Sequence, residues 1–133
     1  MSREEQKQEK EKSFEEALRY LSNAYHNLDK AGKEDKFYKD KKYVKSACGI
    51  AYSGVLVALD AYLRMKDIPK PKNRPSREYY QGHLAKLDKK LLGSYNIVYQ
   101  ILHLVGYYDG FTHIPTIQTG FEQAQFIIQK LKQ

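Results

Sequence analysis

Arginine and histidine are the side chains of this sequence that could bind a phosphate group and move a proton beside it. A guanidinium binds two phosphate oxygens at once, and an imidazole exchanges a proton near neutral pH. The candidate catalytic residues are Arg77, His83, His103 and His113. Arg77 and His83 lie at a predicted helix start beside a basic loop, where anions are favoured. His103 lies in an apolar run, which is more typical of a histidine satisfied in a core or groove.

Tyrosine is the second residue type that could bind a ligand, because the chain has 12 tyrosines and no tryptophan. Tyr79, Tyr80, Tyr107 and Tyr108 are expected near the ends of the third and fourth helices. If these four rings lie close together, they would line a groove on which bases or another ligand could stack. The alternative is that the rings pack in the core and their hydroxyl groups reach solvent at its edge.

Two acidic residues complete the set of candidate ligand-binding residues. Asp60 lies in the apolar run from Val55 to Leu63, and a buried carboxylate without a partner is costly. We therefore expect Asp60 to reach the edge of the domain or to meet a Tyr, Lys or Arg side chain. A carboxylate that fixes helix register through a tyrosine hydroxyl is the structural alternative to a site role. Asp109 is predicted mainly to cap a chain reversal.

Several kinds of site and location are not predicted. No two histidines are three or four residues apart and no carboxylate or thiol completes a set, so we expect no metal and no cofactor. A phosphate loop, a nucleophile elbow and a paired-carboxylate motif are all lacking. The lone Cys48 excludes an internal disulfide and fits a reducing, cytoplasmic setting. The charged start predicts no secretory signal, and no apolar run approaches the ~20 residues of a membrane span.

Apolar spacing predicts an all-α fold, an antiparallel bundle of four main helices plus one short helix. Residues 1–12 are expected to be a charged flexible tail before a single helical-bundle domain at 13–133. Ser13 and Glu16 have the capping-box spacing and predict the first helix start. The predicted helices span about 14–31, 37–66, 76–87, 88 to a turn near Gly106, and 116–132.

The net charge of +7 is concentrated in two stretches. Residues 30–45 contain seven lysines and three acids, and residues 64–77 contain six basic residues and one acid. Such stretches attract phosphate backbones or acidic partners, although lysine-rich turns are more often simply solvated.

With its helices placed, the chain resembles the HEPN domain, a small helical bundle of prokaryotic toxins and of proteins paired with minimal nucleotidyltransferases. The resemblance spans about residues 13–132. It is carried by the opening amphipathic helix and by three motifs, Ala58-Leu59-Asp60-Ala61-Tyr62-Leu63, Tyr79-Tyr80-Gln81-Gly82-His83-Leu84 and Tyr107-Tyr108-Asp109-Gly110. The last helix contributes Phe121-Glu122-Gln123-Ala124-Gln125, which is similar to the alanine-containing last helix of the family.

The resemblance implies a divided expectation about activity. Active HEPN members are RNases that need no metal and use an arginine, four to six further residues, and then a histidine late in the fold. This sequence departs from that pattern because its last arginine is Arg77 and no lysine lies between Lys90 and Lys130. The spacing does occur at Arg19–His26 and Arg77–His83, but earlier in the chain, and chance alone gives roughly half a match.

The leading hypothesis is therefore a non-catalytic HEPN-like binding or interaction module that forms a homodimer. One alternative is an RNA-directed nuclease or toxin with a rearranged site at Arg77, His83 and the adjacent tyrosines, with RNA on the basic stretches 30–45 and 64–77. A second alternative is a partner subunit of a nucleotidyltransferase-like protein.

Overall fold

The computed structural model describes residues 2–132 and confirms the all-α bundle. Helix α1 spans Arg3–Lys30, α2 spans Lys41–Met65, α3 spans Arg77–Leu87, α4 spans Lys89–Val98 and α5 spans Ile114–Lys132. A π-helix over Tyr99–Tyr108 continues α4 without a break. Two short strands, β1 at Lys33–Glu34 and β2 at Phe37–Tyr38, pair antiparallel between α1 and α2.

Helix α1 begins eleven residues before its predicted start. Ser2 caps it by accepting a hydrogen bond from the Glu5 backbone amide at 3.1 Å, and the Glu5 carboxylate accepts from the Ser2 amide. The predicted start at Ser13 is wrong, since Ser13 lies in mid-helix and is buried. Residues 3–12 are mostly Glu, Gln and Lys, which favour helix, so the segment expected to be a charged flexible tail forms the first turns of α1.

The predicted start of the second helix at residue 37 is also wrong. Gly32 ends the first helical segment with a φ of 68°, as expected, but a hairpin follows it. Phe37 bridges to His113, and the Tyr38 amide donates to the Thr112 carbonyl, so tertiary contacts hold this segment extended. Helix α2 then starts behind Asp40, whose carboxylate accepts from the Lys42 amide at 3.0 Å.

Helix α2 is the central helix of the bundle. It packs against α1, the π-helix and α5. By length and composition alone it could cross a membrane, because its most apolar 18-residue window has a mean hydropathy of 1.4. Half of that window is buried inside the bundle, as in the core helix of many folded domains.

Helices α3, α4 and α5 begin within two residues of their predicted starts. The proline-rich segment 68–75 is a loop, Ser76 caps α3, and Asp88 caps α4 by accepting from the Leu91 amide at 3.0 Å. What the spacing does not predict is the π-helix. There the Asp109 amide donates to the Leu104 carbonyl, five residues back, instead of four.

Candidate functional site

The π-helix lines up a set of aromatic side chains along one side of the bundle. Bonding to the fifth residue back puts more residues in each turn than the 3.6 of an α-helix, so side chains four or five positions apart lie above one another. The His103 ring lies 5.1 Å from Tyr99 on one side and 4.9 Å from Tyr108 on the other, measured between ring centroids. Tyr107 lies 6.1 Å from His103 in a near-parallel orientation.

Helix α2 contributes a further ring to this set. Tyr52 stacks on His103 with a centroid distance of 4.7 Å and an interplanar angle of 29°. We call Tyr52, Tyr99, His103, Tyr107 and Tyr108 the aromatic face. Its first three members are partly buried, while 44% of Tyr107 and 61% of Tyr108 is exposed. The aromatic face is therefore a half-buried row of rings with an open end.

Close packing between α2 and the π-helix makes this alignment possible. Gly106 lies directly against Cys48, since a Cβ placed on Gly106 would come within 2.7 Å of the Cys48 Cβ. Gly49 lies against Tyr107 in the same way, with 2.8 Å between an added Cβ and the ring. Small residues on both helices, Cys48 and Gly49 on α2 and Gly106 on the π-helix, therefore allow this close approach.

A guanidinium lies at the other end of the aromatic face. The Arg77 guanidinium carbon is 5.0 Å from the centroid of the Tyr99 ring, within the range of a cation–π contact. Arg77 is exposed and also contacts its neighbour Glu78 at 3.2 Å. The Arg77 side chain is 43% exposed, so part of it is accessible to a ligand.

The protonation state of His103 follows from its surroundings. Burial among the rings lowers the pKa of His103 below the ordinary value for histidine, and the positive charge of Arg74 lowers it further. His103 is therefore neutral at pH 7, which favours its stacking role in the aromatic face. Arg74 and Arg77 both belong to the basic stretch 64–77, so positive charge borders this end of the face.

A buried network supports the aromatic face from behind. The hydroxyl groups of Tyr52 and Tyr95 share a hydrogen bond at 3.0 Å, and Tyr95 is fully buried. Tyr80 packs next to Tyr95 and donates its own hydroxyl to Asp60 Oδ1 at 2.7 Å. This confirms the expected contact between Asp60 and a tyrosine. Burial raises the pKa of Asp60, and the Tyr80 hydrogen bond opposes that rise.

The candidate residues named from the sequence fall into separate groups. The four tyrosines do not form one groove, because Tyr79 and Tyr80 lie near Asp60 while Tyr107 and Tyr108 lie at His103. Asp109 is an exposed residue at the end of the π-helix.

The alternative hypothesis groups Arg77 with His83, but the two side chains contact different rings. Arg77 lies over Tyr99, whereas the His83 ring contacts Tyr79 edge-on at 4.8 Å. The histidine that contacts Tyr99 is His103.

His113 lies in a different neighbourhood from the aromatic face. Its Nδ1 shares a hydrogen bond with Thr116 Oγ1 at 2.8 Å, and its ring lies between Phe37 and Phe111. These contacts join the hairpin to the start of α5, which is a structural role. Within residues 2–132 no three His, Cys, Asp or Glu side chains are placed to hold a metal ion.

Two members of the aromatic face, Tyr52 and Tyr99, were not singled out from the sequence. The signal that indicates Tyr99 is the four-residue repeat of Tyr95, Tyr99, His103 and Tyr107. A four-residue repeat places these side chains on one face of a helix but does not distinguish a π-helix from an α-helix. Tyr52 has no local signal, because its place depends on how α2 docks.

Comparison with known proteins identifies a family whose description assigns no function. The family model described as a domain of unknown function, DUF5618, matches residues 12–133. A solved structure of a protein of unknown function from Dyadobacter fermentans is 46% identical, with a TM-score of 0.84 over 92% of this chain and 95% of that one. A search of curated proteins gave no match. Since the family model covers nearly the whole chain, the protein belongs to the DUF5618 family.

Proposed function

We propose that this protein is a non-catalytic, HEPN-like binding module that takes single-stranded RNA on its aromatic face. The observation that carries this proposal is the Arg77 guanidinium beside the row of rings formed by Tyr99, His103 and Tyr108. Single-stranded nucleic acids bind where bases stack on aromatic rings and nearby cations contact the phosphates. The basic stretch 64–77, which ends at Arg77, supplies further positive charge.

The same geometry explains why binding is favoured over cleavage. Cleavage of RNA without a metal needs a base and an acid placed on opposite sides of one phosphate. The rings of Tyr52 and Tyr107 lie near parallel to the His103 ring, whereas Tyr99 is tilted and Tyr108 is edge-on to it, so these contacts favour a packing role for His103. His83 and His113 have neighbours elsewhere. A second acid–base group is thus lacking at the aromatic face within residues 2–132.

A nuclease is the second candidate, because Arg77 and His103 both contact the Tyr99 ring. In that case the guanidinium would hold a phosphate and the neutral imidazole would accept a proton. An end-labelled RNA distinguishes the two candidates, because a binding module leaves it intact and a nuclease shortens it. Loss of cleavage in His103→Ala would establish the nuclease.

Fluorescence anisotropy with a labelled single-stranded RNA tests the binding proposal. Tyr108→Ala removes one stacking ring, worth about 1–3 kcal/mol, so we expect the Kd to rise by about 5- to 150-fold. Arg77→Gln removes one phosphate contact, which should lower the slope of log K against log salt by about 0.7.

Two matched variants make the test specific to the aromatic face. Arg19→Gln removes the same charge from the exposed side of α1, and Tyr25→Ala removes a tyrosine that is 39% exposed and contacts Phe121 instead. Both should bind RNA as the parent does. RNA binding that is flat in salt, or that responds equally to Arg77→Gln and Arg19→Gln, would refute the proposal.

The exposed rings also bear on self-association. Tyr108, the last residue of the π-helix, is 61% exposed, and Phe111, three residues later, is 45% exposed. If a second copy covered these rings, RNA and dimer formation would compete. Light scattering of the parent and of Tyr108→Ala, with and without RNA, measures this directly. A nucleotidyltransferase-like partner and a cytoplasmic location stay predictions.

A further inference from the structure

A small pocket lies beneath the proline-rich loop, away from the aromatic face. Its volume is about 170 Å³, and it is formed by the last turns of α2, the loop 68–75 and the ring of Tyr79. Its apolar wall includes Leu63, Ile68 and two prolines of the loop, Pro71 and Pro75. The Tyr79 ring and the two proline rings offer surfaces against which a flat ligand group could pack.

One acceptor and two cations provide the polar groups of the pocket. Asp60 lines it and receives the Tyr80 hydroxyl on Oδ1, while Oδ2 has no hydrogen-bond partner among residues 2–132. Arg64 and Lys70 line it as well. The Arg64 Nε is bonded to Glu9, and the two terminal nitrogens of its guanidinium have no such partner in the described part of the chain.

A second, more open cavity of about 490 Å³ adjoins this pocket. Arg64, Ile68 and Lys70 line both spaces, so the two cations stand where the cavities meet. The inner pocket is smaller than the ~300–1,000 Å³ of sites that hold a whole drug-sized ligand. A ligand would therefore place a compact head in the inner pocket and extend past the two cations.

The charges decide what kind of head and tail would fit. The Asp60 carboxylate only accepts hydrogen bonds, so the head must carry N–H or O–H donors. A cationic head is disfavoured because Arg64 and Lys70 would repel it. The same two cations favour an anionic tail. A flat, neutral head with donors and an anionic tail is the chemistry of a nucleotide.

We infer that this pocket binds a guanine mononucleotide. The guanine base would lie against Tyr79 and the prolines, its adjacent N1–H and N2–H donors would meet the Asp60 carboxylate, and its phosphate would contact Arg64 and Lys70. Guanine fits better than the other bases since it offers two neighbouring donors to the two oxygens of one carboxylate. This site shares no residue with the aromatic face and does not depend on RNA binding there.

Isothermal titration of the full chain with GMP tests the inference. We expect saturable binding with a Kd below 1 mM. IMP lacks the N2 donors and should bind at least tenfold more weakly, and guanosine lacks the phosphate and should bind at least fivefold more weakly. Absence of saturable heat up to 5 mM GMP, or equal affinities for GMP and IMP, would overturn the inference.

Variants connect the binding to the named residues. Lys70→Gln should weaken GMP binding at least threefold and leave guanosine binding unchanged. Lys72→Gln removes an exposed lysine of the same loop that does not line the pocket, so it should bind GMP as the parent does. Asp60→Asn should abolish the preference for GMP over IMP. If Asp60→Asn does not fold, the Lys70 and Lys72 variants decide, and equal affinities of these two for GMP would reject the site.

Discussion

Removing the Tyr80 hydroxyl should destabilise the protein in a way that depends on pH. Tyr80 is buried and donates to Asp60 Oδ1 at 2.7 Å, so Tyr80→Phe leaves a partly buried carboxylate without this donor. A hydrogen bond to a charged group contributes about 1.5–3 kcal/mol. Water reaches part of Asp60, so we expect Tyr80→Phe to lower the free energy of unfolding by about 1–2 kcal/mol at pH 7.

The pH dependence follows from the pKa of Asp60. Burial raises that pKa above its value in the unfolded chain, so the folded state binds the proton more tightly and stability falls as pH rises from the unfolded to the folded pKa. The Tyr80 hydrogen bond lowers the pKa of Asp60, so Tyr80→Phe should raise it further. The variant should therefore lose more stability than the parent between pH 4 and pH 7.

Urea denaturation at pH 4 and pH 7 measures both effects. The midpoint should shift with an unchanged m-value, since the surface exposed on unfolding stays the same. Tyr43→Phe is the matched control, because its hydroxyl makes no hydrogen bond within residues 2–132. In an Asp60→Asn background, Tyr80→Phe should cost only about 0.5–1.5 kcal/mol, as for a neutral pair. A loss of the same size at both pH values in the parent background would refute the reasoning.

Three further predictions concern packing, capping and reactivity. Gly106→Ala should destabilise the fold by about 1–3 kcal/mol because its Cβ would overlap Cys48, whereas Gly93→Ala, in open space on α4, should stabilise it by about 0.5–1 kcal/mol; thermal unfolding compares them. Asp88→Ala should cost about 1 kcal/mol, since the carboxylate caps Leu91; equal urea midpoints would contradict this. Burial raises the pKa of Cys48 to about 12, so Ellman's reagent should react only after unfolding, and fast labelling of the native protein would disprove this.

The sequence predicts the helices well because their apolar periodicity is strong, but it does not predict where α1 begins. Ser2 with Glu5 and Ser13 with Glu16 both have the capping-box spacing. Local chemistry cannot choose between them. The choice depends on residues 3–12 favouring helix, and on Glu9 pairing with Arg64 at the end of α2. The contact between Glu9 and Arg64 is tertiary, because it joins residues 55 positions apart in the sequence.

The hairpin and the π-helix are invisible to periodicity for the same reason. Phe37 and Tyr38 stay extended through contacts with His113 and Thr112, which are distant in sequence. The π-helix accompanies the contact between Gly106 and Cys48, which brings two backbones close together. Sequence patterns report what a segment favours alone, and these two segments take the form that their neighbours allow.

The types of residue in the candidate site could be predicted from the sequence, but which of these residues lie together could be predicted less well. A partner for Asp60 follows from the cost of a buried carboxylate, and Tyr80 provides it. The neighbours of His103 follow only once the π-helix and the docking of α2 are known, since Tyr52 comes from 51 positions earlier in the chain. The contact of Arg77 with Tyr99, in place of the His83 grouping considered in the alternative hypothesis, also depends on how α3 docks on the π-helix.

The aromatic face is built from side chains that also hold the bundle together, and this bears on how it would bind. Tyr52 is fixed to the core through its hydroxyl bond with Tyr95, and Tyr107 is held against Gly49. Rings fixed in this way lose little side-chain entropy when a base stacks on them. Arg77 is exposed and would lose more. Affinity at this face should therefore come mainly from stacking on fixed rings, with Arg77 adding salt-dependent attraction for the phosphates.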